Sequence, residues 1–185
     1  MKTALVLIDI QNDYFAGGRN QLSGSEEAAV KAAGILALFR KKNLPVIHVQ
    51  HISNRPGATF FLPGTFGAEI YKDVKPLENE AVVEKNFPDS FFRTTLSEKL
   101  AEAGAEKLVV CGMMTHMCVD TTVRAAKNHG YEVTLISDAC ATKNLCHDGK
   151  EIPAATVHAS FMAALDKMFA EVITAEKFLS KEGKE

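Results

Sequence analysis

Lys107-Leu108-Val109-Val110-Cys111-Gly112-Met113-Met114-Thr115-His116-Met117-Cys118 is the stretch that decides the fold. Its first five residues are a short, mostly apolar run rich in valine and closed by Gly112, which predicts a strand. A helix is expected to follow from about His116 to His129, closed by Gly130. The same alternation repeats along the chain. Thr3–Ile8 reads as a strand buried on both faces. Ser23-x-x-Glu26 reads as a capping box that opens a helix to about Lys42, with Ala29, Ala33, Leu36 and Ala37 on one side. Pro45–Val49 and Val82–Glu84 are further strands. Thr95-x-x-Glu98 opens the next helix and Gly104 stops it. Glu132–Ile136 and Glu171–Thr174 are the last strands. Between them Pro153 starts a helix whose apolar face is Val157, Phe161, Leu165 and Met168. Strands alternating with helices imply parallel strands joined by right-handed crossovers and covered on both sides. The expected fold class is α/β, a three-layer α/β/α domain.

The chain has 185 residues, which fits one domain over 1–185, with the polar tail at 176–185 expected to fray. Hydrophobic residues make up 46% and charged residues 24%, an ordinary balance for a folded protein, and the net charge of −2 gives no basic face for nucleic acid or an anionic membrane. No apolar run approaches the roughly 20 residues that span a bilayer. Asp9 interrupts the apolar start of the chain after a few residues, so that segment reads as a strand rather than a signal peptide, and a cytoplasmic location is expected. The four cysteines, Cys111, Cys118, Cys140 and Cys146, include no C-x-x-C pair and no disulfide framework. Scattered thiols of this kind direct attention to one reactive cysteine. The long irregular stretch from His51 to Glu80, with Pro56, Pro63, Phe60, Phe61 and Phe66, is either a lid or partner contact or a surface excursion.

Parallel α/β sheets bind ligands beyond the carboxyl ends of their strands. Asp9, with Gln11, Asn12 and Asp13, follows the first strand; Lys85 ends the third; Cys118 follows the fourth. At the start of a helix, Cys118 would be favoured as a thiolate, and nearby N–H groups could hold an oxyanion. Its alternative role is a small core residue. A carboxylate after five apolar residues needs a partner, and Asp9 suits a group that takes and returns a proton, or else a turn aspartate. Lys85 either reaches the same edge with its ammonium or is a surface lysine.

Together these residues resemble the isochorismatase-like cysteine hydrolases. Leu5 to Phe15 is similar to the opening motif of that family, Val83 to Phe91 to its lysine motif, and Cys111 to Thr122 to its nucleophile motif; Ser137-Asp138-Ala139-Cys140 and His158-Ala159 resemble two further signatures. The resemblance implies a six-stranded parallel Rossmann-like sheet, an Asp9–Lys85–Cys118 catalytic triad, and a cis peptide at Met113–Met114 that turns the Met114 N–H toward the Cys118 N–H as an oxyanion hole. It also implies a homodimer or homotetramer acting on a small-molecule substrate. The family contains amide and ureide hydrolases, nicotinamidases and vinyl-ether-cleaving isochorismatases, the last without the cysteine. Nicotinamidases carry Asp-x-His after the second strand, where this chain has Val49-Gln50-His51, and no histidine lies between His51 and His116. The expected protein is therefore a cysteine hydrolase of C–N bonds with no metal and no cofactor, whose pocket draws on Gln11, Phe15, His51, Phe87, Thr115 and His116, with Phe91 and the lid phenylalanines as further aromatic wall candidates. Gln11 and Thr115 would act there as supporting hydrogen-bonders or simply hold the strand ends, and His116 either lines the pocket or caps the helix. His48 is expected to be a loop or pocket residue. A vinyl-ether hydrolase and a non-catalytic scaffold or binding paralogue are the alternatives.

Overall fold

In the computed structural model, which describes residues 2–182, β1 (Thr3–Ile8) lies inside the sheet, flanked on both edges. Leu5 and Leu7 belong to the core on one face, and Ala4, Val6 and Ile8 to the core on the other. An apolar run without polar alternation is what a strand covered twice requires. The chain continues through α1 (Ser25–Lys41), β2 (Val46–His51), β3 (Ala81–Lys85), α2 (Leu96–Ala103), β4 (Lys107–Met113) and α3 (Asp120–Asn128). Then come β5 (Glu132–Ala141), β6 (Leu145–His147), β7 (Lys150–Ile152), α4 (Ala154–Leu165), β8 (Glu171–Ile173) and α5 (Ala175–Glu182). Six strands run parallel in the order β3-β2-β1-β4-β5-β8. α1 and α5 pack on the Leu5/Leu7 face, and α2, α3 and α4 on the other, completing three layers. The strand order reverses between β1 and β4, where sheets of this kind open a crevice beyond their carboxyl ends.

Several local expectations are corrected. Gly24, not Ser23, caps α1, and the Ser23 N–H instead bonds the Thr142 carbonyl, so the first capping box does not form. Thr95 gives no side-chain cap to α2; the Thr94 hydroxyl accepts from the Leu96 N–H instead. The buried side of α1 is Ala28, Ala29, Ala32, Ile35, Leu36 and Phe39, with Ala37 exposed. On α4 the buried positions include Met162, while Met168 lies beyond the helix and is 69% exposed. The segment expected to fray is helical through Glu182, because Phe178 buries its ring beside Phe39; residues 183–185 of that expectation lie outside the described residues. The β6–β7 hairpin escapes the periodicity because its strands are three residues long, although Asp148-Gly149 is a strong turn signal. The segment after β4 opens with a π-helical turn, Thr115–Val119, before α3 begins.

One close approach holds the crevice in shape. Gly112 pairs in register with Ile8 and has φ +143°, and a Cβ there would overlap the Ile8 carbonyl oxygen. Gly34, on α1, has open space around its own missing Cβ. Gly112→Ala is expected to lower stability by about 3 kcal/mol or more. Gly34→Ala should raise it by about 0.5–1 kcal/mol. Urea denaturation of the two variants checks both signs, and a Gly112→Ala protein as stable as the wild type would contradict the close packing of β1 on β4.

Candidate active site

Three strand ends supply the ionisable groups. Asp9 leaves β1 in the left-handed region, φ 51°, a conformation that aspartate tolerates better than most residues. Lys85 closes β3, and Cys118 sits in the π-helical turn after β4. All three side chains are buried. Lys85 Nζ lies 2.7 Å from Asp9 Oδ2, donates to Cys118 Sγ at 3.1 Å and to the Phe87 carbonyl at 3.0 Å, and lies 3.1 Å from His51 Nδ1. His51 is the register partner of Lys85 on the neighbouring strand, which brings the two side chains together. Both Asp9 carboxylate oxygens are buried; Lys85 pairs with Oδ2, and the Cys118 thiol faces the same carboxylate.

The charge states follow from these neighbours. Burial alone would push the Lys85 ammonium down, but the charge of Asp9 and the hydrogen bonds to Asp9 and Cys118 outweigh it, and the net shift is upward. Lys85 therefore stays cationic. Burial lowers the pKa of His51 to about 4, with the Lys85 charge acting in the same direction, so the imidazole is neutral near neutral pH. An ammonium can only donate, so Nδ1 is the acceptor and Nε2 carries the hydrogen. Burial, followed by the charge of Asp9, pushes the Cys118 thiol well up, with Lys85 opposing. This corrects the expected thiolate: the resting sulfur is a neutral thiol beside an Asp9–Lys85 ion pair. A helix start was expected to ionise it, but desolvation and an adjacent carboxylate dominate.

A cavity of about 330 Å³ opens above Cys118. Of the six expected pocket residues, His51 and Phe87 line it and the other four do not. Gln11 is fully buried behind it: its amide donates to the His51 and Ala68 carbonyls at 2.9 and 2.7 Å and accepts from the His51 N–H at 2.7 Å. It fastens the end of β2 to the loop that follows. Phe15 stacks on Tyr71 with ring centroids 3.5 Å apart and lines a separate cavity with Phe66 and Ile70. The Thr115 hydroxyl lies 3.2 Å from the Ala141 carbonyl and 3.0 Å from His158 Nδ1, and His116 Nδ1 is 2.6 Å from the Thr142 hydroxyl. These two residues tie the turn that carries Cys118 to the end of β5 and to α4. His48 is a buried residue of β2 facing Glu80, 2.9 Å away, rather than a loop or pocket residue. Phe91 stacks on His129 away from the cavity.

Phe60 and Phe61, from the long loop, do form a wall of the cavity, together with Tyr14. Asp13 explains how that loop is held: its carboxylate accepts from the Phe61 N–H at 2.6 Å and the Arg19 N–H at 3.1 Å. Gly67 packs so closely on the same carboxylate that a Cβ would overlap it. Asn12 adds a bond to the Phe66 carbonyl at 2.8 Å. Sequence reasoning placed Asp13 and Asn12 at the right strand end but missed this role, since it depends on contacts about 50 residues away.

Asp9, His51 and Cys118 each offer an atom to a cation, within 4.8 Å of one another, and they form the single such group among the described residues. The Lys85 ammonium already stands 2.7–3.1 Å from an atom of each. Its charge takes the place a metal ion would need, so this group does not fit one.

Comparison with known proteins accords with this arrangement. The family model for the isochorismatase domain matches residues 3–177. The uncharacterized isochorismatase family protein YddQ of Bacillus subtilis strain 168 is 52% identical over 97% of this chain and 99% of its own length. The crystal structure of an isochorismatase hydrolase from Oleispira antarctica superposes with a TM-score of 0.94 at 48% identity, covering 97% of this chain and 96% of that one. The ureidoacrylate amidohydrolase RutB of Variovorax paradoxus strain S110 is 25% identical over 96% of this chain and 80% of its own. With the matched domain, the shared sheet and Asp9, Lys85 and Cys118 gathered at one edge, the chain belongs to the isochorismatase family of hydrolases.

Proposed function

We propose that this protein is a metal-independent cysteine hydrolase that cleaves a C–N bond of a small amide-type molecule through a thioester. The observation that carries this reading is the contact of Lys85 with both Asp9 and Cys118, which places a base, a cation and a thiol at one buried point. The similarity to an amidohydrolase supports the bond type. The thiol proton passes to Asp9 as Sγ attacks the carbonyl carbon, and Lys85 holds the charges that develop. The N–H groups of Met114 and Cys118 are assigned to the oxyanion. The Met113–Met114 peptide is cis, and among the described residues the Met114 N–H donates to no backbone acceptor. Asp9 then protonates the departing amine, and water cleaves the thioester, returning the proton to the thiol.

Cys118→Ala is expected to reduce ammonia or amine release from a small-amide panel by about three orders of magnitude or more while leaving the thermal midpoint close to wild type. Residual turnover near the wild-type rate would refute a sulfur nucleophile. Asp9→Asn gives a sharper split. Removing the carboxylate charge removes a cause of the raised thiol, with Lys85 left to favour the thiolate. Alkylation of Cys118 by iodoacetamide at neutral pH should therefore become faster than in wild type, while amide turnover falls by about 10²–10⁴-fold. In the wild type the alkylation rate should climb with pH through the neutral and mildly alkaline range without a plateau. Slower alkylation of the Asp9→Asn protein would contradict this account of the site charges.

A further inference from the structure

The cavity above Cys118 is unbalanced in charge. Its floor is neutral, because Asp9 and Lys85 pair and Cys118 keeps its proton. The other carboxylate nearby, Asp13, is 3% exposed and is engaged by two backbone N–H groups behind the wall. The walls combine the rings of Tyr14, Phe60, Phe61 and Phe87 with the uncharged polar residues Ser53, Asn54 and Asn86, and His51 is neutral. Arg55 is the one lining residue with a formal charge, and no acid lines the cavity with it. Among the described residues its exposed guanidinium has no ion pair and no side-chain hydrogen bond. Its charge reaches inward, adding to the lowering at His51. Arg93, also cationic, lies over the ring of the lining residue Phe87, 5.9 Å from its centroid. A low-dielectric cavity with one sign of charge concentrates ligands of the other sign. A guanidinium with five free donors also matches a carboxylate in shape. His51, whose Nε2 carries the hydrogen, is a neutral donor among the lining residues.

We infer that the site takes small amides that carry a carboxylate, with the anionic end against Arg55 at the mouth and the scissile carbonyl at Cys118. This rests on the proposed reaction, since it needs Cys118 to mark the reacting end.

Iodoacetate and iodoacetamide test it without knowledge of the natural substrate, because they are nearly isosteric and differ by one negative charge. Each forms a carbon–sulfur bond to Cys118 as the carbon–iodine bond breaks; iodide leaves and the thiol proton is lost to the buffer. Labelling rates at mildly alkaline pH, read at Cys118 by peptide mass spectrometry, give a ratio of iodoacetate to iodoacetamide for each variant. The ratio should fall about fivefold in Arg55→Gln, and further in Arg55→Glu. In the wild type it should also fall as potassium chloride is added. A ratio unmoved by Arg55→Gln would overturn the proposal while leaving Cys118 as the nucleophile. Amide turnover retained in Cys118→Ala would instead remove the nucleophile, and this inference with it.

Discussion

The ammonium of Lys85 is the constraint on which the site depends. A cation buried to this degree is costly unless its partners surround it. Here the surroundings are one carboxylate, one sulfur, one imidazole nitrogen and one backbone carbonyl, all within 3.1 Å. Those four groups come from β1, the turn after β4, β2 and the segment after β3, so one side chain joins four parts of the chain. The same ammonium sets the histidine tautomer and takes the place of a metal ion. The chemistry and the local stability of this sheet edge are thus two consequences of one buried charge.

The neutral thiol follows from the same arrangement. A thiolate would compete with Asp9 for Lys85, and both anions would share a site with little water. The resting state therefore holds one negative charge, on the carboxylate, and places the proton on sulfur. In the proposed reaction the proton moves when a carbonyl arrives to accept the electron pair. In that proposal, unlike for a cysteine ionised by a helix start, activation is tied to the presence of substrate, which limits stray reaction of the sulfur.

The long loop contributes the cavity rather than the reacting groups. It is fastened by Gln11, Asn12 and Asp13, three consecutive polar residues just past the end of β1. One turn of chain thus carries Asp9 into the buried cluster with Lys85 and anchors the aromatic wall of the cavity. A displaced loop would open the cavity to water and weaken every electrostatic term inside it.

The apolar runs of the sequence by themselves determined the parallel sheet, because a strand covered on both faces must be apolar throughout, and Thr3–Ile8 and Lys107–Cys111 read correctly for that reason. The gathering of Asp9, Lys85 and Cys118 was legible for a related reason: polar residues that interrupt such runs at the carboxyl ends of strands have nowhere to go but the crevice. Helix caps and the α1 and α4 faces were partly misread, since Ser23, Thr95 and Met168 fit local patterns that longer-range contacts overrode. Only the tertiary structure decided which residues line the cavity, sending Gln11, Phe15, Thr115 and His116 behind it and bringing Arg55 and Phe61 to it. It also decided the protonation of Cys118. Both outcomes arise from contacts between residues tens of positions apart, and burial and charge at a point in space leave no periodic trace along a chain.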